Sequence, residues 1–159
     1  MVDLTEQQKT LIANGWAVIK KNLKQNGADA FILLFTMKPA YQDYFSTFKG
    51  MSMEEIALSG KMRAHGSMFM GALAGIIENL DDLECAAEIL RSKVQSHEKR
   101  NIGRQHFHDL LYVVFPAFLA QKLGKDFTDE AGAAWMTAVG ILMSVIDDEL
   151  AKMEQLSVA

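Results

Sequence analysis

The sequence predicts an all-α domain, and three observations carry the prediction. Only two prolines, Pro39 and Pro116, occur in 159 residues, so most of the chain is free of the residue that breaks a helix by removing a donor and crowding the preceding turn. Apolar residues recur three, four and seven apart, the period of one helix face, rather than alternating as in a half-buried strand. Capping-box patterns, in which a Ser or Thr is followed three residues later by Glu or Gln, stand at the head of two of these stretches. Together the spacings describe a bundle of about seven or eight helices, with residues 1–159 forming one domain.

The first helix opens on Thr5-x-x-Gln8 and carries Ile12, Trp16, Ile19 and Leu23 at spacings of four, three and four, which places Trp16 in the core. A second helix runs from about Gly27 through Phe31, Leu34 and Phe35 and ends before Pro39, which suits the first turn of a following short helix because no backbone donor is needed there. "PAYQDYFSTFKGMS" reads as that short helix and an irregular corner. Ser52-x-x-Glu55 caps a stretch that leads through His65 to "NLDD", where Asp81 or Asp82 can cap the next helix. There Ala86, Leu90, Val94 and His97 share a face until Gly103 permits a break. Two long helices finish the chain, one at roughly 104–123 bent by Pro116 and one at roughly 128–153 aligning Trp135, Val139, Leu142, Ile146 and Leu150.

Half of the residues are apolar, enough for a sizeable core without disulfide or metal staples. The net charge of -4 and the absence of a basic stripe weigh against nucleic acid or an anionic membrane as the main partner. A single cysteine, Cys85, excludes an intrachain disulfide and a four-thiolate metal site. The start "MVDLTEQQK" has neither the apolar run of a secretory leader nor the second-position glycine of a lipid anchor, so a cytoplasmic protein is expected. No catalytic triad, phosphate loop or paired acid/base carboxylates are visible, and an enzyme is not expected.

The chemistry-bearing oddity lies in "MRAHGSMFMGAL". His65 shares a helical face with Met62, Phe69, Leu73, Ile76 and Leu80, and a buried imidazole without a partner costs about 1–3 kcal/mol. A lone histidine on such a face is more often bonded to a carbonyl than to a ligand. His97, however, ends a second apolar stripe on a separate helix, and one large apolar cofactor between the two helices accounts for both. Zinc fits less well, since no HExxH or clustered Cys/His spacing is present. His106 and His108, two apart on a helix, point in different directions and are unlike a chelating pair; one is expected partly buried and the other on the surface. Heme fits better, with one histidine on iron, the opposite side open, and apolar residues over the macrocycle.

With these motifs in this order, the chain resembles the globins over nearly its whole length. "NGWAVI" is similar to the globin first helix, and Gly27 and Gly66 match the small residues where the second helix crosses the helix of the distal histidine. "LFTMKPAYQDYFSTF" resembles the passage from second to third helix, with Phe45 at the phenylalanine that stacks on heme and Phe48 at a second aromatic of the corner. "RAHG" is similar to the distal motif and "SHEKRNI" to the proximal one. The 32-residue separation between His65 and His97, with the turn "NLDDLE", resembles invertebrate, mollusc-type globins more than vertebrate carriers.

The resemblance implies a globin fold around a pocket for heme b (iron protoporphyrin IX). It implies His97 as the proximal iron ligand and His65 as the distal histidine, itself on iron only in a six-coordinate form. Ser96, or a backbone carbonyl one turn before His97, accepts from the second ring nitrogen; Arg100 reaches a propionate; Val94, Ile102 and Phe107 line the heme. Phe31 and Phe69 match pocket positions that are often leucine and valine, where with Phe45 they form an aromatic cage that slows gas entry. Met68 and Lys93 depart from the family pattern, the first in place of a basic or polar propionate contact and the second in place of an apolar residue. The implied function is reversible dioxygen binding for storage or transport, with carbon monoxide and nitric oxide as further ligands, in a monomer or homodimer. The alternative is a six-coordinate globin in a redox, nitric oxide dioxygenase or gas-sensing role, which would draw electrons from a partner reductase.

Overall fold

The computed structural model describes residues 3–158, and among them every regular element is helical. The lipid-anchor reading of the second residue lies outside that range. Helix α1 (Glu6–Lys20) starts as its sequence predicts: Thr5 Oγ1 accepts from the Gln8 N–H at 3.1 Å, and Gln8 Oε1 accepts from the Thr5 N–H at 2.9 Å. Two of the donors left without a partner by the first turn are thereby satisfied. The helix ends before Leu23, which instead opens α2 (Leu23–Met37). The Asn26 side chain donates to the Ile19 carbonyl at 2.8 Å, adding to the longer bond of 3.3 Å that this carbonyl accepts from the Asn22 N–H where α1 ends.

Pro39 begins a 3-10 segment, Pro39–Tyr44, as its missing donor allows, and a second 3-10 turn, Ser46–Phe48, completes the corner. The single helix expected from Ser52 onward is two, α3 (Met53–Leu58) and α4 (Gly60–Ile77). Ser59 divides them: its hydroxyl donates to the Ile56 carbonyl at 3.0 Å and accepts from the Met62 N–H at 3.1 Å, so one side chain closes one helix and caps the next. Asp82, rather than Asp81, caps α5 (Leu83–Glu98) by accepting from the Cys85 N–H at 3.1 Å.

The long helix expected at 104–123 is continuous but changes pitch. It runs as α6 (Arg104–His108), a π-helical stretch Asp109–Val114, and α7 (Phe115–Leu123). Pro116 has no N–H to give to the turn before it, and the backbone there widens to i→i+5 bonding. Helix α8 (Asp129–Val158) is long and apolar enough to cross a membrane, but its apolar residues Trp135, Val139, Leu142 and Ile146 are buried in the protein core.

Helices α2 and α4 form the most extensive pair, and their crossing explains two glycines. A Cβ on Gly27 would stand 2.5 Å from the Gly66 carbonyl carbon, and one on Gly66 would stand 2.5 Å from that of Gly27. The backbones therefore touch, with no room for even a methyl group. Around this crossing one apolar cluster gathers Phe31, Phe35, Phe48, Ile56 and Met62, and a larger one gathers Trp16, Val94, Phe107, Phe118 and Trp135. Phe69 packs against both, so α4 lies at the seam.

Candidate functional site

Helix α4 carries His65 one residue before the glycine crossing, which brings α2 against it. The imidazole is half-buried and meets aromatic edges: Phe31 at a centroid distance of 4.5 Å and 67°, Phe45 at 5.1 Å and 87°, Phe48 at 6.3 Å and 79°. Phe69 stacks edge-on to Phe31 at 5.0 Å. Phe31, Phe45 and Phe69 are brought together, with Phe31 as the ring nearest the histidine. Burial, followed by the charge of Arg100 and the neighbouring His97 imidazole, lowers the affinity of His65 for a proton below its ordinary value, so the ring is neutral at pH 7.

His97 sits in the last turn of α5. Its Nδ1 lies 2.6 Å from the Lys93 carbonyl, and since a carbonyl only accepts, Nδ1 carries the proton and donates it. Ser96 Oγ is farther, 3.4 Å from Nδ1, and donates to the same carbonyl at 3.0 Å. Of the two partners expected for this nitrogen, the carbonyl one turn earlier is the closer. Nε2 is left with its lone pair, the form in which a histidine binds a metal. The Phe107 ring stands 5.7 Å from the imidazole, and the His97 carbonyl accepts from the N–H groups of Arg100 at 2.9 Å and Ile102 at 3.2 Å.

The sequence-predicted residues divide by exposure. His65, His97, Phe45, Phe69 and Ile102 are half-buried, Phe31, Phe48, Val94 and Phe107 are buried, and Ser96 and Arg100 are exposed. Arg100 is close enough for its charge to act on His65. Met68 is 68% exposed. His106 and His108 turn apart as expected, His106 toward Tyr44 and His108 toward Tyr112, but both are half-buried, so neither is the surface histidine expected from the sequence: each ring packs on a tyrosine.

The donor set suits heme better than a bare metal ion. Among the described residues no three His, Cys, Asp or Glu side chains gather around a common point, so a bare ion finds no protein coordination shell. A single imidazole lone pair facing an apolar, aromatic wall fits an iron that arrives with four ligands of its own, as a porphyrin provides.

Two groups beyond the histidine pair were not predicted. Asp109, in the π-helical stretch and only 6% exposed, accepts from the Tyr41 hydroxyl and from Gln105 Nε2 at 2.9 Å, with Lys38 Nζ at 3.9 Å. Burial alone pushes its carboxyl up; the hydrogen bonds of Tyr41 and Gln105 with the charges of Lys38 and His108 outweigh it, and the net direction is down. The same burial and carboxylate push Tyr41 up to about 12. The second group is His106, bonded to the Gly103 N–H and to Tyr44. The spacing Gly103-x-x-His106 supplies only the reciprocal half of a capping box, with histidine as the acceptor and no N-cap side chain.

A sequence profile described as Globin matches residues 28–146. Globin-1 of Liolophura japonica is 32% identical over 136 residues, spanning 83% of this chain and 91% of its own. The globin of Nerita albicilla is 25% identical over 146 residues, 92% of each chain. Hemoglobin subunit beta-2 of Xenopus tropicalis is 35% identical over 141 residues, 85% of this chain and 89% of its own. The mollusc-type similarity thus stands beside an amphibian one of comparable identity.

Proposed function

Because this chain belongs to the globin family, we propose that it is a cytoplasmic protein that holds heme b and binds dioxygen reversibly for storage or transport, with His97 on the iron and His65 over the ligand. When bound, heme supplies the iron at which a diatomic gas is held. The observation that most supports the reading is a histidine on α5 whose Nε2 is free, close enough to act electrostatically on a second, neutral histidine that is set among phenylalanine rings.

The Lys93 carbonyl fixes the tautomer and orientation of His97 and makes Nε2 a better donor. His65, kept neutral chiefly by burial and by the charge of Arg100, would offer an N–H to a gas held beside it. Polarised dioxygen accepts that bond better than carbon monoxide does, and a hydrogen bond in a dry site contributes roughly 1–3 kcal/mol, about one or two powers of ten in affinity. The Phe31 edge holds the imidazole in place, and with Phe45 and Phe69 it keeps water out of the pocket. Ile102 and Phe107 extend the apolar wall on the side of His97, Phe48 and Val94 pack behind the two walls, and Arg100 reaches toward a propionate.

The visible spectrum of the deoxygenated ferrous protein tests this function. One broad band is the expected result and means that His65 leaves a coordination position open for gas. Two sharp bands would mean that His65 closes that position, and would replace the carrier reading by the six-coordinate redox or sensing one.

A further inference from the structure

We propose that His106 is a pH-sensitive clasp between the two chain segments that flank the gas-binding pocket, so that acid lowers oxygen affinity through the backbone at Gly103. The proposal rests on the oxygen-binding reading for its effect, and on geometry for the clasp. His106 Nδ1 is 3.0 Å from the Gly103 nitrogen, and Nε2 is 3.0 Å from the Tyr44 hydroxyl oxygen. A backbone N–H only donates, so Nδ1 is bare, and the ring proton sits on Nε2 and is donated to Tyr44.

Each bond leads to the pocket in one step. Ile102, beside Gly103, donates its N–H to the carbonyl of His97, and Phe45, beside Tyr44, packs edge-on against His65. Gly103 has no side chain with which to cap α6, so the stabilisation of its own amide comes from His106. A protonated ring would face the Gly103 N–H with a second N–H, and that bond could not persist.

Among the described residues the charged ring finds no replacement. From the Pro39–Tyr44 segment it is faced by the Tyr44 and Tyr41 rings, at 4.8 and 5.1 Å. Lys38, just before that segment, and Tyr41 on it are turned to Asp109, and Asp43 is exposed. On its own helix Arg104 pairs with Asp147 of α8, His108 stacks on Tyr112, and the Asp109 carboxylate is taken by Tyr41, Gln105 and Lys38. Protonation therefore opens the clasp, frees the 99–103 turn, and leaves His97 less firmly held.

His106→Gln separates the clasp from its titration, because a glutamine in this position supplies the same reciprocal acceptor and carries no charge at any pH. In the carbon monoxide form of the heme-loaded protein, followed by NMR between about pH 8 and pH 5.5, the Gly103 amide is expected to shift with the same midpoint as the His106 ring. In His106→Gln that amide should stay still. Oxygen affinity of the unmodified chain should fall about twofold or more over this range, and the fall should be absent in His106→Gln. A Gly103 amide indifferent to the His106 titration, or an unchanged acid effect in His106→Gln, overturns the proposal. A protein that takes up heme but binds no oxygen overturns the earlier reading instead, and the Gly103 amide then decides the clasp alone.

Discussion

The crossing of α2 over α4 predicts that the same substitution, made twice in one helix, has opposite signs. Gly66→Ala puts a methyl group 2.5 Å from the Gly27 carbonyl carbon, about 1 Å short of the 3.4 Å at which ordinary contact begins, and the obstacle is backbone. The helices must part or the residue must distort, and overpacking of this kind costs about 1–3 kcal/mol, against about 1 kcal/mol returned by alanine's better helix propensity. Gly71→Ala, one and a half turns farther along α4, meets nothing within 4 Å and keeps only the gain of about 0.5–1 kcal/mol. Urea unfolding of the two variants should therefore separate them by roughly 1–3 kcal/mol, which is roughly 2–12 °C in melting temperature for a domain of this size. Gly66→Ala should also disturb the distal side, since His65 is the adjacent residue. A Gly66→Ala protein as stable as Gly71→Ala would refute the close crossing and, with it, the account of how Phe31 reaches His65.

Three further outcomes follow from the site. His97→Gly should lose heme during gel filtration, and added imidazole should restore the absorption of the loaded protein; retention without imidazole would remove His97 as ligand. His65→Leu should release oxygen about 10- to 100-fold faster, by stopped-flow, and oxidise faster in air. Tyr41 should ionise at about 12 rather than its ordinary 10.0 in an ultraviolet titration, and Tyr41→Phe should delete that step. Because the folded state holds this proton more tightly, the stabilisation is complete below the ordinary value and is lost as pH rises through the folded one.

Much of the fold was legible because helix periodicity and caps are local signals. Thr5 and Gln8, Ser52, Asp82 and Pro39 each act within one turn of their own position, and each stands at an element boundary in the structure. Gly27 and Gly66 were readable through family resemblance alone, since neither residue announces its partner. The misread boundaries depend on contacts that periodicity does not carry. Leu23 continues the apolar spacing of α1, yet Asn26 reaches back to the Ile19 carbonyl and the chain turns. Ser59 looks like an ordinary helix-surface residue until its hydroxyl is seen serving both helix ends. Asp109 faces inward because the π-helical stretch shifts the register of its face, which a reading at 3.6 residues per turn does not anticipate.

The same limit applies inside the pocket, where the two unusual phenylalanines are not equivalent. Sequence places Phe69 one turn from His65 on the same helix, which makes it the obvious residue to crowd the imidazole. In the structure Phe31 of α2 takes that place at 4.5 Å, and Phe69 packs on Phe31 at 5.0 Å. Phe69 then acts on His65 through Phe31, and the two effects are coupled rather than additive. Oxygen release measured in Phe31→Leu, Phe69→Leu and the double variant tests the order of contact. Phe31→Leu should change the rate most, and Phe69→Leu should add little once Phe31 is gone. Full additivity of the two changes would mean that Phe69 meets the histidine or the gas on its own, and that the aromatic wall is two independent contacts instead of one stacked unit.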